Sequence, residues 1–167
     1  QALSADTEVV LLLCGRFGGE RQEPHQTLSA REYGELAKWL KERGLRPADL
    51  LVVAGRTHLE AVHEARLDRK RVGFLLGRGT AMALAVERWS RVGLWVISRG
   101  DAEFPKRLKH QLKHAMPPLL YGAGQKTLLD MGGVAVVGSR EASEAALAFT
   151  TNLAAKCAQE GIGVVSG

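Results

Sequence analysis

Apolar residues along this chain recur in two different patterns. Up to Val92 they return every three or four residues, the period of helices that bury one face. From Leu94 onward they also gather into short unbroken runs bounded by glycine and proline, as in buried strands. The first pattern predicts a helix from Thr7 to Cys14 and a polar loop from Gly15 to Gln26. Ser29 and Glu32 form an S-x-x-E capping box ahead of Leu36, Ala37 and Leu40, with Gly44 as the stop. Pro47 starts a short helix, and Thr57 and Glu60 repeat the capping signature before Ala61, Val62 and Ala65. A further helix covers Arg69–Leu76, and Gly77-Arg-Gly79 breaks it. Thr80 recaps the chain, and Met82, Ala85, Val86 and Trp89 line the last helix before Gly93. Residues 1–93 therefore read as a small helical bundle.

The second pattern begins with a strand at Leu94–Ile97. A turn from Asp101 to Pro105 leads into a helix whose apolar face is Leu108, Leu112 and Ala115, stopped by Pro117-Pro118. A short strand, Leu119–Tyr121, a glycine turn and a helix over Lys126–Met131 follow. Val134–Val137 reads as a strand buried on both faces, turned at Gly138, where a Cβ would obstruct the chain. Ser143 stands at an N-cap, and Ala146, Phe149, Leu153 and Cys157 form one helical stripe. Gly161 ends that helix, and Ile162–Val165 returns as a second strand. Strand, helix, strand in this order predicts a parallel βαβ unit. The expected fold class is α/β: a helical bundle over 1–93, then an incomplete Rossmann-like domain from 94, cut off after Gly167.

A βαβ unit points unpaired backbone N–H groups and the positive end of a helix dipole at whatever lies over its first turn. Ser139 adds a hydroxyl and Arg140 a forked cation suited to phosphate, and Ser166-Gly167 arrives at the same edge of the sheet. The turn is neither a G-x-G-x-x-G dinucleotide fingerprint nor a P-loop, because the later glycines and a Gly-Lys-Ser/Thr are missing.

Composition adds a basic balance. The 167 residues carry a formal charge of +5, which suits polyanions without requiring one. The helix after Pro105 holds Lys106, Arg107, Lys109, His110, Lys113 and His114 with no acid among them, a candidate track for a sugar-phosphate backbone. Gly77-Arg-Gly79 with Ala83 matches a helix–hairpin–helix spacing, although Arg78 stands where an apolar residue is usual. Arg66, Arg69, Lys70, Arg71 and Arg78 against Asp68 form a second basic stretch, read as a solvated or phosphate-facing surface. Cys14 and Cys157 form no C-x-x-C and read as buried reduced thiols, so a cytoplasmic location is expected. The run Val9–Cys14 is too short to span a membrane. His110 and His114 lack a third ligand, no serine sits in a nucleophile elbow, and no carboxylates are visibly paired; neither metal, cofactor nor catalysis is expected.

The order Phe104-Pro105, Leu108, Pro117-Pro-Leu-Leu-Tyr-Gly122, Val134-Ala-Val-Val-Gly-Ser-Arg140, Ser143 and Val164-Val-Ser-Gly167 resembles the DNA-processing protein A (DprA, or Smf) family over about residues 94–167. The resemblance implies an extended Rossmann-like domain that binds single-stranded DNA and helps load the RecA recombinase, chiefly in natural transformation, with no catalytic step. Gly138, Ser139 and Arg140 match that family's phosphate-pocket turn, and Ser166-Gly167 the start of its second pocket loop. Phe104 stands where tyrosine is usual, and Ala145-Ala146 where Tyr-Gly is common. The glycine-rich continuation with its aspartate lies outside this chain, as do the surfaces implied for homodimerisation and RecA contact. The reading is thus a single-stranded-DNA-binding recombination mediator, present as an N-terminal fragment. Its expected contacts are Gly138, Ser139, Arg140, Ser143, Ser166 and Gly167, extended by Lys106, Arg107, Lys109 and Lys113. The alternatives are a phosphoribohydrolase-like nucleotide enzyme and a protein-interaction module carried by the helices.

Overall fold

The computed structural model describes residues 2–18, 23–52 and 67–167. They form two compact units, Gln1–Gly124 and Gln125–Gly167. The capping box expected at Thr57 and Glu60, and Arg66, lie outside the described residues.

The first unit is built around α1 (Ala5–Cys14). Ser4 Oγ accepts the N–H of Thr7 at 3.2 Å, so the helix starts before the threonine expected to open it. Val9, Val10, Leu11, Leu12 and Leu13 are all buried, so α1 is enclosed from every side. Around it pack α2 (Ala30–Glu42), a 3-10 turn (Pro47–Leu51), α3 (Arg69–Leu76) and α4 (Gly79–Arg91). The Ser29–Glu32 capping box forms in both directions, at 2.8 and 3.3 Å. Tyr33, Leu36, Trp39 and Leu40 bury the inner face of α2, and Ala85 that of α4.

β1 (Leu94–Ser98) pairs antiparallel with β2 (Leu119–Ala123), from Leu94 opposite Ala123 to Ser98 opposite Leu119. Trp95 lies across Gly122, where a Cβ would come within 2.4 Å of the indole. This hairpin packs on α1 and α4, so the first compact unit runs on to Gly124 rather than stopping at the change of sequence pattern near Gly93. Between the strands, Pro105 caps α5 (Lys106–Leu112). The expected longer helix is broken at Lys113, which has φ 43°. The helix ends before Pro117-Pro118, as expected, but earlier than Pro117 alone would require. Ala115 therefore lies in a separate 3-10 turn, Lys113–Ala115.

A polar network ties the start of α1 to the end of β1. Thr7 Oγ1, 1% exposed in its residue, lies 2.7 Å from Asp101 Oδ2 and 2.9 Å from Ser98 Oγ. Ser4 Oγ lies 3.1 Å from Asp101 Oδ1, and the Ser98 N–H donates to Oδ2 at 2.7 Å. Burial alone would raise the Asp101 pKa, but the Ser98 amide and the hydroxyls of Thr7, Ser4 and Ser98 outweigh it and hold it below 3.8.

The basic stretch is not a uniform surface. Arg78 is 7% exposed, against the expectation of a solvated or phosphate-facing side chain. Its Nη2 donates to the carbonyls of Leu12 and, at 3.1 Å, Gly15, and its Nη1 to Glu23 at 3.1 Å. The guanidinium also stacks 4.7 Å from the centre of the Phe17 ring. A cation here satisfies carbonyls left open at the C-terminus of α1. Arg71 is likewise taken up by Glu32 at 2.6 Å and by the carbonyls of Gln26 and Thr27, both at 2.7 Å. Asp68 caps α3 through the Lys70 N–H at 2.9 Å.

The second unit is the expected βαβ: β3 (Gly133–Val136), α6 (Glu144–Gln159) and β4 (Gly163–Ser166), the strands parallel with Val136 beside Ser166. Lys126–Asp130 forms a 3-10 turn rather than an α-helix. Gly133 and Gly163 are opposed in register, and a Cβ on Gly133 would come 2.1 Å from the Gly163 carbonyl oxygen. The strands are not buried on both faces as expected. Val134, Val164 and Val165 are exposed, and Val137, just past β3, is 92% exposed. Two strands and one helix leave much of a sheet uncovered. The α6 stripe is also split: Cys157 is buried, while Phe149 is 69% exposed. Both cysteines are free, as expected, and burial pushes the Cys14 thiol up to about 12.

Two stability tests follow from the first unit. Asp101→Asn should lower unfolding free energy at neutral pH by about 1–3 kcal/mol in urea titrations. Because the folded pKa is depressed, the wild-type contribution is present above 3.8 and disappears as pH falls through the folded value. The Asn variant should therefore show a flatter acid limb, and an unchanged limb would contradict the network's role. Arg78→Ala should cost about 3 kcal/mol by leaving the α1 carbonyls and Glu23 unpaired. A urea midpoint equal to wild type would contradict that assignment.

Candidate functional site

Because β3 and β4 are parallel, their carboxyl ends lie on one edge of the second unit. The 137–143 loop leaves the end of β3 and Gly167 follows β4, so the structure brings Gly138, Ser139, Arg140, Ser166 and Gly167 to this same edge. All five are exposed. Ser139 Oγ accepts the Glu141 N–H at 3.1 Å, which folds the loop back on itself and leaves the hydroxyl hydrogen free to donate. Ser143 Oγ accepts the Ala146 N–H at 3.3 Å and caps α6, so its first duty is to the helix.

Gly138 differs from the glycines that the fold requires. A Cβ built there would meet no atom within 4 Å, and its φ is not positive. The expectation that a side chain would obstruct the turn is therefore corrected. Glycine at this position opens space on the solvent side, where a ligand backbone could approach the amides closely. No ion pair engages Arg140 among the described residues. Glu141 and Glu144 follow it, so the 138–144 segment has one cation and two carboxylates. An anion here would be held by amide groups, the α6 dipole and a single guanidinium.

The four other expected contacts belong to the first unit. Lys106, Arg107, Lys109 and Lys113 are all exposed. Lys109 reaches back over the buried Phe104 ring, its Nζ 5.5 Å from the centroid. Lys113, displaced by the break in the helix, shares a cleft with Arg31, Lys38 and Arg99. The sequence gives no sign of this grouping, since Arg99 and Lys113 are far along the chain from Arg31 and Lys38 and no short motif joins them. Among the described residues, no three His, Cys, Asp or Glu side chains gather as a metal site, and no helix is long and apolar enough to cross a membrane.

No curated protein and no solved structure matches this chain. The family model of DNA recombination-mediator protein A matches residues 95–167, which cover both strand pairs and the whole carboxyl edge. Residues 95–167 of this chain are thus similar to DNA recombination-mediator protein A.

Proposed function

We propose that this chain is a DNA-recombination mediator that holds single-stranded DNA by its phosphates at the turn between β3 and α6. The observation that carries this reading is the pairing of Gly138, whose missing side chain faces open space, with an exposed Arg140 that enters no ion pair among the described residues. Backbone amides at the start of α6 supply hydrogen bonds, and Arg140 supplies charge and a fork that matches phosphate oxygens. Ser139 and Ser166-Gly167 border the same edge and complete the donor set. Such a grip carries no base preference, because it touches only the backbone. The strand so held is the one to be presented to the RecA recombinase, and homodimerisation belongs to the same reading.

The test is fluorescence anisotropy with a labelled single-stranded oligonucleotide. Losing the charged phosphate contact in Arg140→Glu should weaken binding by about tenfold or more. Gly138→Ala should also weaken binding while leaving the thermal midpoint within a few degrees of wild type, since the new methyl meets nothing inside the protein. Lys156→Glu, a charge reversal near the far end of α6, is the control. Equal losses in Arg140→Glu and Lys156→Glu would contradict a site at the turn.

A further inference from the structure

We infer that the first compact unit carries a separate hold for a nucleic-acid backbone, in a cleft of about 890 Å³ lined by Arg31, Glu35, Lys38, Arg99 and Lys113. The choice of nucleic acid as the polyanion rests on the DNA-recombination reading, but the cleft does not depend on the Gly138 turn.

Arg31, Glu35 and Lys38 are spaced to share one face of α2. Lys38 makes a long 4.0 Å contact with Glu42, with both side chains more than half exposed. Opposite them, the 3-10 turn that starts at Lys113 packs on α2. Lys113, at the break in the helix, lines the cleft, while Lys106, Arg107 and Lys109 do not. Arg99 completes the set. Its guanidinium lies 4.5 Å from the centre of the Tyr33 ring, which holds its planar fork in place before any ligand arrives. Gly34 leaves room beside it, since even a Cβ would stand 4.0 Å from Nη1.

Among the described residues, four cations and one carboxylate, Glu35, thus line the cleft. Tyr33 is itself 2% exposed beneath Arg99, and among the described residues no aromatic side chain lines the cleft, so they offer bases no platform to stack on. What this surface can read is phosphate charge. Counterion release sets the scale: a single phosphate contact at Arg140 contributes a salt slope of about −0.7, whereas four in the cleft would contribute about −2.8. The salt dependence of DNA binding should therefore reside mainly in the first unit.

The test compares the 167-residue chain with an Arg31→Ala/Lys113→Ala double variant and with Arg140→Glu. Affinity for a fluorescein-labelled oligothymidylate is measured across salt concentrations. The double variant should flatten the log–log salt slope by about 1.4, two lost contacts, with an unchanged circular-dichroism melt. Lys38→Ala, on the exposed face of α2, should flatten it by about 0.7 and guards against a fold effect at Lys113. An abasic phosphodiester oligomer should compete as well as the oligothymidylate. An unchanged slope in these variants, failure of the abasic oligomer to compete, or no binding by the unaltered chain would overturn the inference. Displacement by inorganic tripolyphosphate at a lower phosphate concentration than the abasic oligomer would overturn nucleic acid as the source. Loss of binding in Arg140→Glu alone would refute the cleft and leave the turn standing; loss in the double variant alone would do the reverse.

Discussion

The second half of helix α1, Val9–Leu13, is apolar and buried on every side, and that constraint organises the first unit. A helix of this kind cannot lie on a surface with one face wet, so other elements must surround it. The short helices, the 3-10 turn and the β1–β2 hairpin supply that enclosure. The backbone groups at both helix ends still need partners. At the start, Ser4 caps the helix and Thr7 joins the Asp101 network; at the end, Arg78 takes the carbonyls of Leu12 and Gly15. A residue type suited to phosphate is thereby committed to holding the core together. The same is true of Arg71, whose guanidinium is shared between Glu32 and two loop carbonyls.

The second unit follows a different logic. Its strands approach closely because glycines oppose each other at Gly133 and Gly163. Its polar caps, Ser139 and Ser143, shape one loop and one helix start at the carboxyl edge. None of those groups is used to fill a core, and the edge stays open. An open edge lined by amides, with one exposed guanidinium, is chemically a place for an anion. For a ligand with many phosphates, its modest charge would leave room for a second, more strongly cationic surface such as the proposed cleft.

Much of this was legible from local patterns. The Ser29–Glu32 box, the α2 and α4 stripes and the strand–helix–strand order are all encoded within a few residues of where they act. The stop before Pro117-Pro118 was legible too, whereas the break at Lys113 was not, because Pro117 would strike the Lys113 carbonyl only if it were itself helical. Burial was harder to read. Hydropathy says that Val134, Val137 and Phe149 are apolar, but not what covers them, and here they are exposed. Arg78 belongs to a run of basic residues by sequence, and only the approach of α1, many positions away, makes it internal. Arg31 and Lys38 are spaced to share a face of α2, but their grouping with Arg99 and Lys113 is likewise a product of tertiary packing.

The central claim is that the β3–α6 turn meets nucleic-acid phosphates. Amide chemical shifts of the isotope-labelled chain, followed while a single-stranded oligothymidylate is added, test it most directly. The account predicts that the amides of Gly138, Ser139, Arg140 and Gly167 move together and saturate with one dissociation constant. Saturable binding that leaves those four amides unmoved would contradict it.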